Sequence, residues 1–158
     1  MKFLILSRNA AKRYSYGNIP KTIIISITDV GSMPNVFDKN SNLVSVLSLQ
    51  FNDATADEFG CMTEDDADRI IKFVNIFIGS VEQIVVHCEA GISRSAGVAA
   101  ALMAIINGND DEVFKDPKYC PNSHCYRLLL NRYYGTYDEQ AIEQKFKENI
   151  ELWNKENL

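Results

Sequence analysis

A short apolar run, Ile84-Val85-Val86, passes through His87-Cys88-Glu89-Ala90-Gly91-Ile92 into an Ala-rich segment, Ser93 to Ile106, which ends at Asn107-Gly108-Asn109. A β-branched run followed at once by a glycine-bearing turn and a helix-forming stretch predicts strand, tight turn, helix. A strand apolar at every position is covered on both faces, the habit of parallel strands in α/β folds. This unit restricts the architecture more than any other segment, because a parallel sheet needs crossover helices to connect its strands.

The remaining chain supplies them. Met1 to Ser7 and Thr22 to Ile27 are aliphatic or β-branched runs, and Leu43 to Phe51 carries apolar Val44, Val46, Leu47, Leu49 and Phe51; these read as three strands. Asp29 to Asn35 and Asp38 to Asn42 are rich in turn formers and predict a loop with room for one short helical turn. Thr63 opens a helix with acids at positions 64 to 66, and Ala67, Ile70, Ile71, Val74, Phe77 and Ile78 fall on one face before Gly79 stops it. Two more helices are predicted, Asn122 to Tyr134 ended by Gly135, and Asp138 to about Lys155 with Ile142, Phe146, Ile150 and Trp153 on one face. The expected fold is a single-domain α/β three-layer sandwich over residues 1–158, with a mainly parallel central sheet of about four to five strands flanked by helices.

Composition narrows the function classes. At 158 residues, 46% apolar and 23% charged, the chain has the balance of one globular domain that needs no disulfide or structural metal. Its net charge of −5 argues against a duplex nucleic-acid binder or a protein held on anionic lipid. Cys61, Cys88, Cys120 and Cys125 are expected as reduced thiols in so well-supplied a core. The run Phe3 to Leu6 is too short for a signal peptide, and no window approaches a membrane span, so a cytoplasmic location is expected.

The turn itself carries chemistry. Cys88 and Arg94 stand on either side of five residues, with Gly91 between them and Ser95 after. Such a turn, entering a helix, points successive N–H groups at one spot where the helix dipole adds positive potential, so a phosphoryl group can be held by the main chain. The planar guanidinium of Arg94 adds a fork for two phosphoryl oxygens. The same field favours the thiolate at Cys88.

In these residues the chain resembles the cysteine-dependent protein tyrosine phosphatases, in particular their small dual-specificity-like branch, whose signature is His-Cys, five residues, Arg, then Ser or Thr. Every signature position is matched, over about eleven residues; the order of elements extends the likeness loosely over residues 43 to 134. The resemblance implies that Cys88 attacks phosphorus in line and forms a phosphocysteine. Arg94 and the N–H groups of Glu89, Ala90, Gly91, Ile92, Ser93 and Arg94 would bind the phosphoryl oxygens. Ser95 would assist the sulfur as leaving group, and His87 would orient the loop from behind. It also implies an aspartic general acid on a separate loop. Asp53 is the first choice, because it follows a strand and should emerge on the same sheet edge as Cys88, and because Phe51-Asn52-Asp53 is similar to the family's acid-bearing segment. Asp57 is the alternative.

No metal and no cofactor is expected. The implied partner is a phosphorylated protein or small phosphomonoester, with no nucleic acid and no membrane, and a monomer is assumed. The rivals are a nucleotide or RNA 5′-phosphatase, which should bring basic clusters, a non-catalytic phosphate-binding module, and the rhodanese-like cell-cycle phosphatases, whose loop fits Gly91 and Ser95 less well. Residues 89 to 93 hold no cation, which disfavours highly anionic inositol lipids. Cys120, His124 and Cys125 lack the second ligand pair of a structural zinc site. Asn122 reads as a helix N-cap, with bracing of the active loop as the alternative. Tyr133, Tyr134 and Tyr137 read as packing residues, and Tyr14 and Tyr16 as exposed loop aromatics or, alternatively, walls of a phosphotyrosine pocket.

Overall fold

The computed structural model describes residues 1–14 and 17–158. Strands β1 (Lys2–Leu6), β2 (Thr22–Thr28), β3 (Leu43–Gln50) and β4 (Gln83–His87) form one parallel sheet in the order β1-β4-β2-β3. Leu6 and Ser26 both lie beside His87, and Thr28 lies beside Gln50. All four strands therefore deliver the residues after them, Ser7, Asp29, Phe51 and Cys88, to one edge of the sheet, where parallel α/β sheets open their ligand crevices.

The helices are α1 (Arg8–Arg13), α2 (Glu64–Phe77), α3 (Arg94–Asn107), α4 (Asp111–Phe114), α5 (Ser123–Tyr134) and α6 (Glu139–Asn157). Ile23, Ile25, Ile27, Leu49, Ile84 and Val86 face the larger core, shared with α2, α3 and α5. The alternate residues Ile24 and Val85 face a thinner layer made by Leu4, Leu6, Tyr14, Ile19, Phe37, Leu43 and Val46. The expected α/β sandwich is present, with four strands and outer layers of unequal thickness.

Local chemistry explains most boundaries. Thr63 and Asp66 form a reciprocal capping box at the start of α2, and Asn122 and Asp138 cap α5 and α6 through Cys125 and Ala141 N–H groups, satisfying donors that would otherwise be orphaned. Left-handed Gly108 and Gly135 close α3 and α5. Helix α2, by contrast, ends through a right-handed Ile78, so Gly79 is a turn residue rather than a left-handed stop. The loop 29–42 contains no helical turn. Helices α1 and α4 were not predicted; six and four residues are too few to show a 3.6-residue period.

Helix α6 turns out to be anchored differently from its apolar reading. Ile142, Phe146 and Asn149 are buried, whereas Ile150 is 47% exposed. The Asn149 amide donates to the carbonyls of Phe114 and Tyr119, and Lys145 donates to both carboxylate oxygens of buried Asp110 at 3.0 Å. The Tyr126 hydroxyl donates to the same carboxylate at 2.6 Å. A polar cluster thus completes a seam that hydrophobic spacing alone leaves half open.

Gly97 lets α3 meet the start of α5. A Cβ there would lie 2.6 Å from the Asn122 carbonyl oxygen and 3.3 Å from the Cys125 Cβ. Gly97→Ala should therefore lower stability by about 1–3 kcal/mol through overpacking, read from the midpoint of urea unfolding; an unchanged midpoint would show that the two helices separate without strain.

Candidate active site

The turn after β4 wraps its carbonyls outward. The Glu89 carbonyl accepts from Arg8 N–H, that of Ile92 from Cys120, and that of Ser93 from Asn122 and Gly97. These carbonyls are engaged by neighbouring main chain, while the Gly91 N–H turns inward and donates to Cys88 Sγ at 3.3 Å. Ser95 Oγ lies 3.1 Å from the same sulfur. Gly91 holds φ +72°, and a Cβ on it would stand 2.6 Å from Ser7 N and 2.7 Å from the Leu6 carbonyl carbon. The loop is thereby seated on the end of β1 by a residue that only glycine can supply.

Cys88 is 2% exposed and Arg94 is 5% exposed. Arg94 Nη1 donates to Asp29 Oδ1 at 2.6 Å and to the Phe51 carbonyl at 2.8 Å, while its buried Nε has no partner. Glu89 pairs with Arg8 at 2.9 Å; Ala90 is exposed, and Ile92 and Ser93 are half-buried.

Behind the loop, register places Ser26 opposite His87. His87 Nδ1 lies 3.2 Å from the Cys88 carbonyl, which can only accept, so Nδ1 carries the proton. Nε2 then accepts from Ser26 Oγ at 2.6 Å, with Asn35 Nδ2 at 3.4 Å. Burial pushes the His87 pKa below its ordinary value and outweighs the opposing bond to the Cys88 carbonyl. A neutral ring with both nitrogens engaged is a brace.

Asp53 is exposed, and its Oδ1 accepts from Ser93 Oγ at 2.7 Å and from Asn122 Nδ2 at 2.9 Å. Asn122 Nδ2 also reaches the Ala54 carbonyl. Asp57 is exposed in a left-handed conformation with φ 67°, and no bond joins it to the loop. The sequence-predicted residues Cys88, Arg94, Ser95, His87 and Asp53 thus meet in one place. Asn122 does more than cap α5, since it ties Asp53 to the loop. Asp29 was missed; it stood in a turn-rich stretch after a strand, a position that signals an edge-of-sheet loop but no partner.

Other expectations resolve elsewhere. Tyr14 receives a bond from Gln83 Nε2 at the end of β4 remote from Cys88, so it does not stand beside the turn; Tyr16 lies outside the described residues. Tyr133 and Tyr134 are largely exposed and pack edge to face against each other. His124 Nε2 bonds the Met62 carbonyl, Cys120 N–H the Ile92 carbonyl, and Cys125 packs beside Gly97. Burial pushes the thiols of Cys120 and Cys125 up, against thiolate chemistry at either. All four cysteines are free. Among the described residues no group of three His, Cys, Asp or Glu is placed to hold a metal, and no helix is long and apolar enough to cross a membrane.

No family model and no curated protein matches the chain. Solved structures similar to it include the human tyrosine phosphatase-like serine/threonine/tyrosine-interacting protein, at 18% identity over 84% of this chain and 78% of that one, with a TM-score of 0.39. Human DUSP28 aligns at 10% identity over 98% and 95%, with a TM-score of 0.48. PTPMT1 in complex with PI(5)P aligns at 18% identity over 98% and 94%, with a TM-score of 0.43.

The buried His87 has a consequence for acid stability. An unfolded chain protonates this histidine as pH falls through about 6.5, while the folded ring, with its lowered pKa, resists. The unfolded state then binds more protons, so this contribution is intact above about pH 6.5 and declines below it. His87→Gln should flatten the loss of stability between about pH 7 and 5 in urea titrations; an equal slope in both proteins would refute the assignment.

Proposed function

We propose that the chain is a phosphomonoester hydrolase working through a phosphocysteine, a protein tyrosine or dual-specificity phosphatase. The observation that carries this reading is the buried, unpartnered Nε of Arg94, on a residue that begins the helix next to Cys88. A buried guanidinium N–H without a partner is costly, and a phosphoryl oxygen is the acceptor that its position and the surrounding main-chain donors favour.

In the proposed first step Cys88 sulfur attacks phosphorus, the S–P bond forms and the bond from phosphorus to the ester oxygen breaks. Asp53 gives that oxygen its proton. Both hydrogen bonds to Asp53 fall on Oδ1, which leaves Oδ2 to carry the transferred proton. In the second step Asp53 takes a proton from water, the water oxygen bonds phosphorus, and the sulfur departs with a hydrogen bond from Ser95. Arg94 and the inward N–H groups hold the equatorial oxygens throughout. No metal or cofactor enters either step. The thiol chemistry suits a reducing compartment, and we place the protein in the cytoplasm on that ground.

For substrate, the reading favours a single phosphate on a protein side chain or small molecule. PTPMT1 is described with PI(5)P, but residues 89 to 93 here contain no cation, and Arg8 and Arg94 are each matched to a carboxylate. The acidic balance of −5 likewise weighs against a nucleotide or RNA 5′-phosphatase.

The wild-type chain should hydrolyse p-nitrophenyl phosphate with chelator present, and Cys88→Ser should abolish it; activity that survives the substitution, or that needs a divalent metal, ends the reading. On phosphotyrosine peptide, Asp53→Asn should lower kcat about 100-fold or more. If Asp57→Asn does so instead, the general acid is Asp57.

A further inference from the structure

We propose that Asp29 is a positioning residue for Arg94, fixing the guanidinium so that one defined edge meets the phosphoryl group. This rests on the hydrolase reading of the same site. A guanidinium has two distinguishable sides. Nη1 lies on the side of Cδ, whereas Nε–H and one Nη2–H point in parallel from the opposite side and form the fork that binds two oxygens of a phosphoryl group. Here both Nη1 contacts are filled, by Asp29 Oδ1 at 2.6 Å and the Phe51 carbonyl at 2.8 Å. The open edge is the one containing the buried, unpartnered Nε. Two acceptors on one nitrogen set the plane of the group as well as its direction.

Asp29 is itself held. It begins a turn in which Ser32 N–H donates to the Asp29 carbonyl at 3.0 Å and Gly31 takes φ +83°. From the end of β3, Gln50 Nε2 donates to the Ser32 carbonyl at 2.9 Å, and Asn52 Oδ1 accepts from Val30 N–H at 3.0 Å. The loop after β2 and the loop after β3 thus brace one another, and each supplies one acceptor to Arg94. Asp29 also provides the counter-charge that a guanidinium with 6% side-chain exposure needs before any anion arrives.

The test measures tungstate binding by calorimetry, together with kcat and KM for p-nitrophenyl phosphate, in the full chain. Asp29→Ala should weaken tungstate binding and lower kcat about tenfold or more, whereas Asp29→Asn, which keeps an acceptor at the same reach, should fall between it and wild type. Introduced into Arg94→Lys, which has no such edge to aim, Asp29→Ala should cause no further loss, a coupling that a merely structural role would not produce. Asp29→Ala strips a buried guanidinium of its counter-charge and is expected to lower stability, so melting temperatures are measured alongside, and Asp29→Asn, which keeps an acceptor on Arg94, carries the comparison if the alanine variant fails to fold. The proposal is overturned if Asp29→Ala binds tungstate as tightly as wild type or more tightly, or if its effect is undiminished with Lys at position 94. A wild-type chain that neither binds tungstate nor hydrolyses the ester would instead remove the hydrolase reading, and this proposal with it.

Discussion

Arg94 carries a full charge at 5% exposure, and the arrangement of three loops can be understood as the means of keeping it there. A guanidinium removed from water needs a counter-charge and acceptors for its hydrogens. Asp29 supplies the first from the end of β2, and Phe51 supplies a carbonyl from the end of β3. Those positions are available because the sheet is parallel and in the order β1-β4-β2-β3, which puts both strand ends on the same edge as the β4 turn. An antiparallel partner at β2 or β3 would have delivered its following loop to the other edge.

Five buried polar side-chain atoms among the described residues have no partner: Thr28 Oγ1, Asn35 Oδ1 and Arg94 Nε at the Cys88 edge of the sheet or in the loop after β2, Gln83 Oε1 at the opposite end of β4, and Asn149 Oδ1 on α6. Each costs free energy, and Arg94 Nε is the one that belongs to a charged group. His87 shows the opposite treatment. Both ring nitrogens are bonded, one through the register partner Ser26 and one to the Cys88 carbonyl, so the loop is braced from behind by the sheet. Loop residues held in this way are positioned by a rigid scaffold.

How far the sequence disclosed this depended on whether the information was local. The strand, turn and helix around Cys88 were legible because apolar run, glycine and Ala-rich segment lie consecutively, and the caps at Thr63, Asn122 and Asp138 announce themselves within three residues. Asp29 was not legible, since its partner is 65 residues away and an aspartate in a turn-rich stretch has an adequate local reason to be there. Asn122 shows the same limit in milder form: its capping role is local, but its bond to Asp53 spans 69 residues. The exposed Ile150 on α6 was misread for a related reason. Spacing identifies an apolar face, yet the space was taken by Asn149, whose bonds to Phe114 and Tyr119 depend on a short helix too small to detect.

The same geometry recasts the acidic balance of the chain. The two arginines at the turn after β4 are each held by a carboxylate, Arg94 by Asp29 and Arg8 by Glu89, so neither presents an unopposed charge to an incoming anion. Asp53 adds a third carboxylate, whose donors among the described residues, Ser93 and Asn122, are neutral. Under the hydrolase reading, what would draw an anion into this turn is therefore short-ranged: main-chain N–H groups, the helix dipole and the edge of one guanidinium that carries Nε, all of which act within a few ångströms. A single phosphoryl group in the turn would meet all of them, whereas further phosphates on the same molecule would lie beyond their range, with the carboxylates of Asp29, Glu89 and Asp53 opposing them. Under the hydrolase reading, discrimination against multiply charged substrates needs no dedicated specificity loop, because it follows from how the binding arginine is held.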